Sequence, residues 1–169
     1  MFTKILVAVS ANSPDTVLAS ALDVARKYDA RLFALHVVDP TPCFIGVVDY
    51  DFGLLVKAMQ AHGSEIVTRV TNVLDDHAHP GEARMVTLPM MNFTVGRAIA
   101  AYAEESEVDL IVLGERKSSW LRWPDENVAA EVRRHVGTPI QIVSGTPSGD
   151  TLSRPVSRNQ LYAKPRVGA

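Results

Sequence analysis

The sequence predicts an α/β domain in which helices cover both faces of a largely parallel sheet. Three observations carry this. Short apolar runs alternate with longer amphipathic stretches, the pattern of successive βαβ units. Two of the runs, Ile5-Leu6-Val7-Ala8-Val9 and Leu110-Ile111-Val112-Leu113, are apolar throughout, as strands buried on both faces must be. The chain has 169 residues, 47% hydrophobic and 21% charged, enough to build one sizeable core and too apolar for general disorder.

After the first strand, Ser13-Pro14-Asp15 reads as a helix start: serine as cap, proline at the first helical position, an acid in the first turn. Val17, Leu18, Ala21, Leu22, Ala25 and Tyr28 then recur at three- and four-residue spacing, so this helix has one apolar face and closes near Asp29. Leu32 to Val38 is a second buried strand. Asp39 to Asp51 is a proline-containing connection. A long helix is expected from about Phe52 to Leu74, interrupted at Gly53 and Gly63, with Leu55, Met59, Ile66, Val70 and Val73 toward the sheet. A third strand spans about Ala83 to Leu88. A helix from Thr94 to Glu105 takes its apolar face from Val95, Ala98, Ile99 and Tyr102. The fourth strand runs from Val108 to Gly114, and a polar loop, Glu115 to Asp125, leads to a helix from about Glu126 to Val136. Ile140-Gln141-Ile142-Val143 is the fifth strand. The domain is thus expected to span residues 1–145. Residues 146–169, punctuated by Pro147, Pro155 and Pro165, form a polar tail, disordered or packed on a partner.

Bulk properties exclude several classes of function. A formal net charge of −2 supplies no field to attract nucleic acid or an anionic membrane. The single cysteine, Cys43, allows no internal disulfide and has no adjacent basic residue to favour a thiolate. The amino terminus lacks a signal-peptide pattern, and no apolar run approaches the roughly 20 residues a spanning helix needs, so a cytoplasmic location is expected.

Lys4-Ile5-Leu6-Val7-Ala8-Val9-Ser10, Leu35-His36-Val37-Val38 and Ile99-Ala100-Ala101-Tyr102-Ala103-Glu104-Glu105 stand in a set order, followed by Asp109 to Gly114. Val128-Ala129, Val132, Arg134-His135 and Pro139-Ile140 come next. In this order and spacing the chain resembles the universal stress protein family over essentially Met1 to Ser144. The resemblance implies a doubly wound five-stranded parallel sheet of order 3-2-1-4-5, the adenine nucleotide alpha hydrolase-like arrangement. It also implies homodimers that pair their fifth strands, here Pro139 to Val143, which would cover an otherwise exposed apolar edge.

In an open sheet of this kind, ligands sit beyond the carboxyl ends of the strands, where the strand order reverses. The resemblance places a nucleotide pocket there, formed in this sequence by Ser10, Ala11, Val38, Gly114, Arg116, Lys117, Asn127 and Val128. ATP-binding members of the family carry an aspartate at the end of strand one. They also carry a signature of glycine, two residues, glycine, nine residues, then glycine and serine or threonine. The glycines let backbone amides approach phosphate, and the last pair opens a helix whose start favours anions. This sequence departs at most of those positions. Ser10 stands for the aspartate, and Lys117 for the second glycine. With a loop one residue shorter, Glu126-Asn127 stands for the final pair. Only Gly114 is kept. Glu126 and Asp125 would repel a phosphate, whereas Arg116, Lys117 and Arg122 could neutralise one. The expectation is weak nucleotide binding or none, with ATP or AMP as the alternative occupant.

Other polar groups read as structural. His77 and His79 beside Asp75 and Asp76 suit a solvated helix end better than a metal site, which needs three or four converging ligands. His36 reads as a packed or hydrogen-bonded histidine, and His135 as a cap for the carbonyls of the last helix. Trp120 and Trp123 flank Arg122 in a polar loop, as a partner contact or as a plug over the vacated pocket. No GxSxG elbow, HExxH pair or Walker lysine loop is present, so no catalytic residues are assigned. A phospho-receiver would need acids after strand one, where Ser10-Ala11-Asn12 stands. Two functions remain: a non-catalytic stress-response protein working through protein contacts, and a nucleotide sensor or slow ATPase.

Overall fold

The computed structural model describes residues 1–10, 15–41, 51–89, 93–115 and 127–144. Among these residues five strands and four helices alternate: β1 (Lys4–Ala8), α1 (Asp15–Tyr28), β2 (Arg31–Val38), α2 (Phe52–Asp76), β3 (Gly81–Thr87), α3 (Val95–Glu105), β4 (Leu110–Gly114), α4 (Val128–His135) and β5 (Ile140–Val143). The sheet order is β3-β2-β1-β4-β5, and every pairing is parallel.

Alternation along the strands divides the core into two layers. Ile5 and Val7 of β1, with Val9 just past its end, join Leu32 and Ala34 of β2 and Leu110 and Val112 of β4 beneath α1 and α2. Leu6, Phe33, Leu35, Ile111 and Leu113 point the other way, against α3 and α4. Successive strand residues face opposite sides, so apolar side chains at every position are what a sheet covered twice requires. Helices α1, α2 and α3 all end on a residue with positive φ that is not glycine: Asp29 (φ 54), Ala78 (φ 47) and Glu107 (φ 52). In each case the following amide reaches back five residues, Ala30 to Ala25, His79 to Leu74 and Val108 to Ala103, closing the helix before the next strand.

Helix α2 differs from expectation. It runs unbroken through Gly53 and Gly63, and its buried residues begin only at Gly63, followed by Ile66, Val70 and Leu74. Leu55, expected against the sheet, is 36% exposed and Leu54 is 68% exposed. A helix of 25 residues is roughly 37 Å long, whereas the seven residues of β3 cover roughly 23 Å, so the first turns of α2 extend beyond the strands. Smaller differences lie at element ends. β3 starts at Gly81 rather than Ala83, β4 at Leu110 rather than Val108, and α4 at Val128 rather than Glu126. Cys43, Trp120, Trp123, the Ser13-Pro14 helix start and the tail from Gly145 lie outside the described residues. Among the described residues no helix is long and apolar enough to cross a membrane.

The amino ends of β1 and β4 are tied by Asp109. Its carboxylate accepts from the Thr3 amide (2.8 Å), the Thr3 hydroxyl (2.9 Å) and the Lys4 amide (3.2 Å). Burial raises the pKa of this carboxyl, but the hydrogen bonds from Thr3 and Lys4 outweigh it, and the net result lies below the ordinary value of 3.8. A depressed folded-state pKa contributes stability that is present above the unfolded-state value and lost as pH falls through the folded one. Asp109→Asn is therefore expected to cost about 1 kcal/mol at neutral pH, a figure that already allows for solvent screening. The gap between wild type and variant should narrow below about pH 4. Denaturant midpoints across that range check this; a gap of constant size down to about pH 3 would refute the assignment.

Candidate functional site

The strand order reverses at β1. β1 and its neighbour β4 lead into α1 and α4 on opposite faces of the sheet, so their carboxyl ends part and leave a crevice. Register places the relevant residues side by side. Ala8 pairs with Leu35 and Val7 with Val112, which brings Ser10, Val38 and Gly114 to the same edge of the sheet. Helix α4 begins at this edge as well, with Asn127 and Val128. Of the eight residues expected to form a pocket, these five are described and stand at this edge of the sheet; Ala11, Arg116 and Lys117 lie outside the described residues.

Each of the five has a local role that the fold explains. Ser10 is exposed, next to the buried Val9 just past the end of β1. Val38 is buried, and its carbonyl accepts from the Leu88 amide at 2.9 Å, tying β2 to the end of β3. A Cβ added at Gly114 would stand 3.0 Å from Cγ2 of Val17, a fully packed residue of α1. The backbone of Gly114 is not in the left-handed region, so what favours glycine here is the tight space beside Val17 and not φ. Asn127 is the N-cap of α4, and its Oδ1 accepts from the Ala130 amide at 3.0 Å. An oxygen at that place does for the helix start what a bound anion would do. Val128 is half-buried against the layer containing Leu6 and Val132.

The histidines resolve differently. His135 does not cap helix carbonyls: its Nε2 lies 3.1 Å from Glu131 Oε1, and Arg134 lies 2.8 Å from the other carboxylate oxygen. Spacings of three and four residues put both partners on the same helix face as Glu131. Chiefly through the His135 hydrogen bond, with Arg134 adding to it, the Glu131 carboxyl is held below its ordinary pKa. His79 Nε2 hydrogen-bonds the Ala30 carbonyl at 3.0 Å, which joins the end of α2 to the start of β2. A groove of about 330 Å³, lined by Val9, Leu18, Arg69, Val73 and His77 among others, runs between α1 and α2. No β4 residue lines it, so it is distinct from the crevice at the strand reversal.

Open, doubly wound α/β proteins with a crevice at the strand reversal form one structural class, and this chain belongs to it. The profile of the universal stress protein family matches residues 1–144, and the chain is a member of that family, with its adenine nucleotide alpha hydrolase-like fold. A universal stress protein of Methanocaldococcus jannaschii is 25% identical over 125 residues, covering 73% of this chain and 70% of that one. A protein of the family from Burkholderia pseudomallei, known from its crystal structure, matches with a TM-score of 0.67 at 25% identity, over 83% of this chain and 95% of that one. The universal stress protein of Archaeoglobus fulgidus, solved in complex with dAMP, matches with a TM-score of 0.58 at 20% identity, over 83% and 96% of the two chains.

The contact at Gly114 is tested by substitution. Gly114→Ala is expected to lower stability by about 1–2 kcal/mol through overpacking. Combining it with Val17→Ala should cost less than the two separate losses added together, because the smaller neighbour makes room. Additive losses in thermal or denaturant unfolding would show that Val17 is not what limits this position.

Proposed function

We propose that the chain is a non-catalytic, homodimeric stress-response protein of the cytoplasm, contained in residues 1–145, whose nucleotide position no longer grips ATP. The observation that carries this is Asn127. Where ATP-binding members place a glycine and a hydroxyl residue to receive phosphate, this side chain caps α4 with its own oxygen. Ser10 adds to it, standing where those members carry an aspartate. Each lost charge-assisted contact costs about 1.5–3 kcal/mol, so a few such losses remove micromolar affinity. Dimerisation through Pro139 to Val143 is part of this reading. Among the described residues β5 pairs only with β4, and Ile142 is 47% exposed on this edge strand. An apolar edge of this kind is usefully covered by a second copy.

A second reading, a nucleotide sensor or slow ATPase, draws support from the Archaeoglobus neighbour solved with dAMP and from the retained Gly114. A nucleoside monophosphate needs fewer phosphate contacts than ATP and is the occupant this reading favours.

Protein purified without added nucleotide separates the two. The non-catalytic reading expects the absorbance spectrum of protein alone and no adenine nucleotide by mass spectrometry after denaturation. Near-stoichiometric AMP or ATP in that extract would reverse the order of the two readings. The same sample should sediment as a dimer at micromolar concentration, and monomer alone would remove the β5 interface. Fractionation that places the protein in a membrane or extracellular fraction would remove the cytoplasmic assignment.

A further inference from the structure

His36 is a buried side chain, 8% exposed, that carries two ring nitrogens into the core. It sits on β2 two residues before Val38, on the face covered by α2. Its Nδ1 lies 2.8 Å from the carbonyl oxygen of Val9, one residue before Ser10. A carbonyl can only accept, so Nδ1 carries the proton and donates. The paired register of β1 and β2 ends at Ala8 and Leu35, and the Val9 amide still reaches the Leu35 carbonyl at 2.9 Å. The imidazole therefore continues the connection between the strands by one more bond, made by a side chain, at the point where the two chain paths separate.

The ring has room there because of Gly63. A Cβ on that residue of α2 would stand 3.0 Å from His36 Cδ2, 3.1 Å from Val38 Cγ2 and 2.5 Å from Met85 Sδ. Glycine in a helix interior costs up to about 1 kcal/mol relative to alanine. Here it lets α2 lie directly over the histidine, so that the seat of α2, the His36 ring and the Val9 carbonyl form one packed series.

We infer that His36, seated by Gly63, is a positioning residue for the ligand edge of the sheet: it fixes the Val9 carbonyl and so sets where Ser10 and Val38 stand. The inference rests on the crevice beyond β1 being the ligand position, but its test requires no ligand. Amide hydrogen exchange of the intact chain is compared among wild type, His36→Leu, His36→Asn and Gly63→Ala. The Glu115 amide, bonded to the Val143 carbonyl on the far side of the sheet, serves as the reference. In His36→Leu the Val9 amide should exchange about tenfold faster relative to Glu115, the effect of losing one buried hydrogen bond. Asparagine carries its Nδ2–H on Cγ, as histidine carries Nδ1–H, so His36→Asn should return Val9 to within about threefold of wild type. Gly63→Ala should act like His36→Leu.

Equal acceleration of Val9 and Glu115 in His36→Leu would reduce His36 to a packing residue and overturn the inference. So would a His36→Asn variant no better protected at Val9 than His36→Leu. If His36→Leu does not fold, the other two variants decide: protection at Val9 kept in His36→Asn and lost in Gly63→Ala supports the inference, and the converse refutes it. None of these outcomes depends on nucleotide affinity, so failure here and failure of the proposed function are told apart.

Discussion

The central strand is held from both sides, and the rest of the molecule depends on that restraint. β1 pairs in parallel with β2 and β4, its side chains fill both core layers, and its amino end is clasped by Asp109. Apolar burial supplies most of the driving force, but it is non-directional and cannot fix a register to within a residue. Directional contacts do that at each end: Thr3 and Lys4 on Asp109 at one, His36 on the Val9 carbonyl at the other. The crevice where a family member would hold a ligand begins at the second of these.

That geometry explains why a crevice at this place need not imply the usual occupant. The strand reversal produces an opening whatever the side chains, because it follows from the order of pairing alone. What binds is set by which donors face the opening. In this chain the start of α4 is satisfied by Asn127, and the space beside Gly114 is filled by Val17. Glycine at the end of β4 thus has a packing reason that is independent of phosphate, and its retention is weak support for nucleotide binding.

The fold was legible because periodicity reports burial directly. Runs such as Ile5 to Val9 can be apolar at every position only if both faces are covered, and the structure places them there. Strand order was not in the periodicity; it came with the resemblance to the family. Errors clustered where length mattered more than pattern. Leu55 continues the apolar stripe of α2, yet the helix outruns the sheet and leaves it at the surface, a mismatch visible only once both elements are measured in space. Gly63 read as a break because glycine weakens helices locally, whereas its close approach to Met85 and His36 is a tertiary fact. The same holds for the site. Substitutions at Ser10 and Asn127 were readable by position, but the Val9 carbonyl as partner of His36 was not, since backbone acceptors leave no trace in the identity of the residue that bears them.

We propose that this crevice offers no adequate seat for a triphosphate. Calorimetric titration of the purified chain with Mg-ATP, and separately with AMP, measures it most directly. The account predicts no saturable heat for Mg-ATP up to about 1 mM ligand, which corresponds to binding weaker than about −4 kcal/mol. A one-to-one isotherm with micromolar affinity would contradict it.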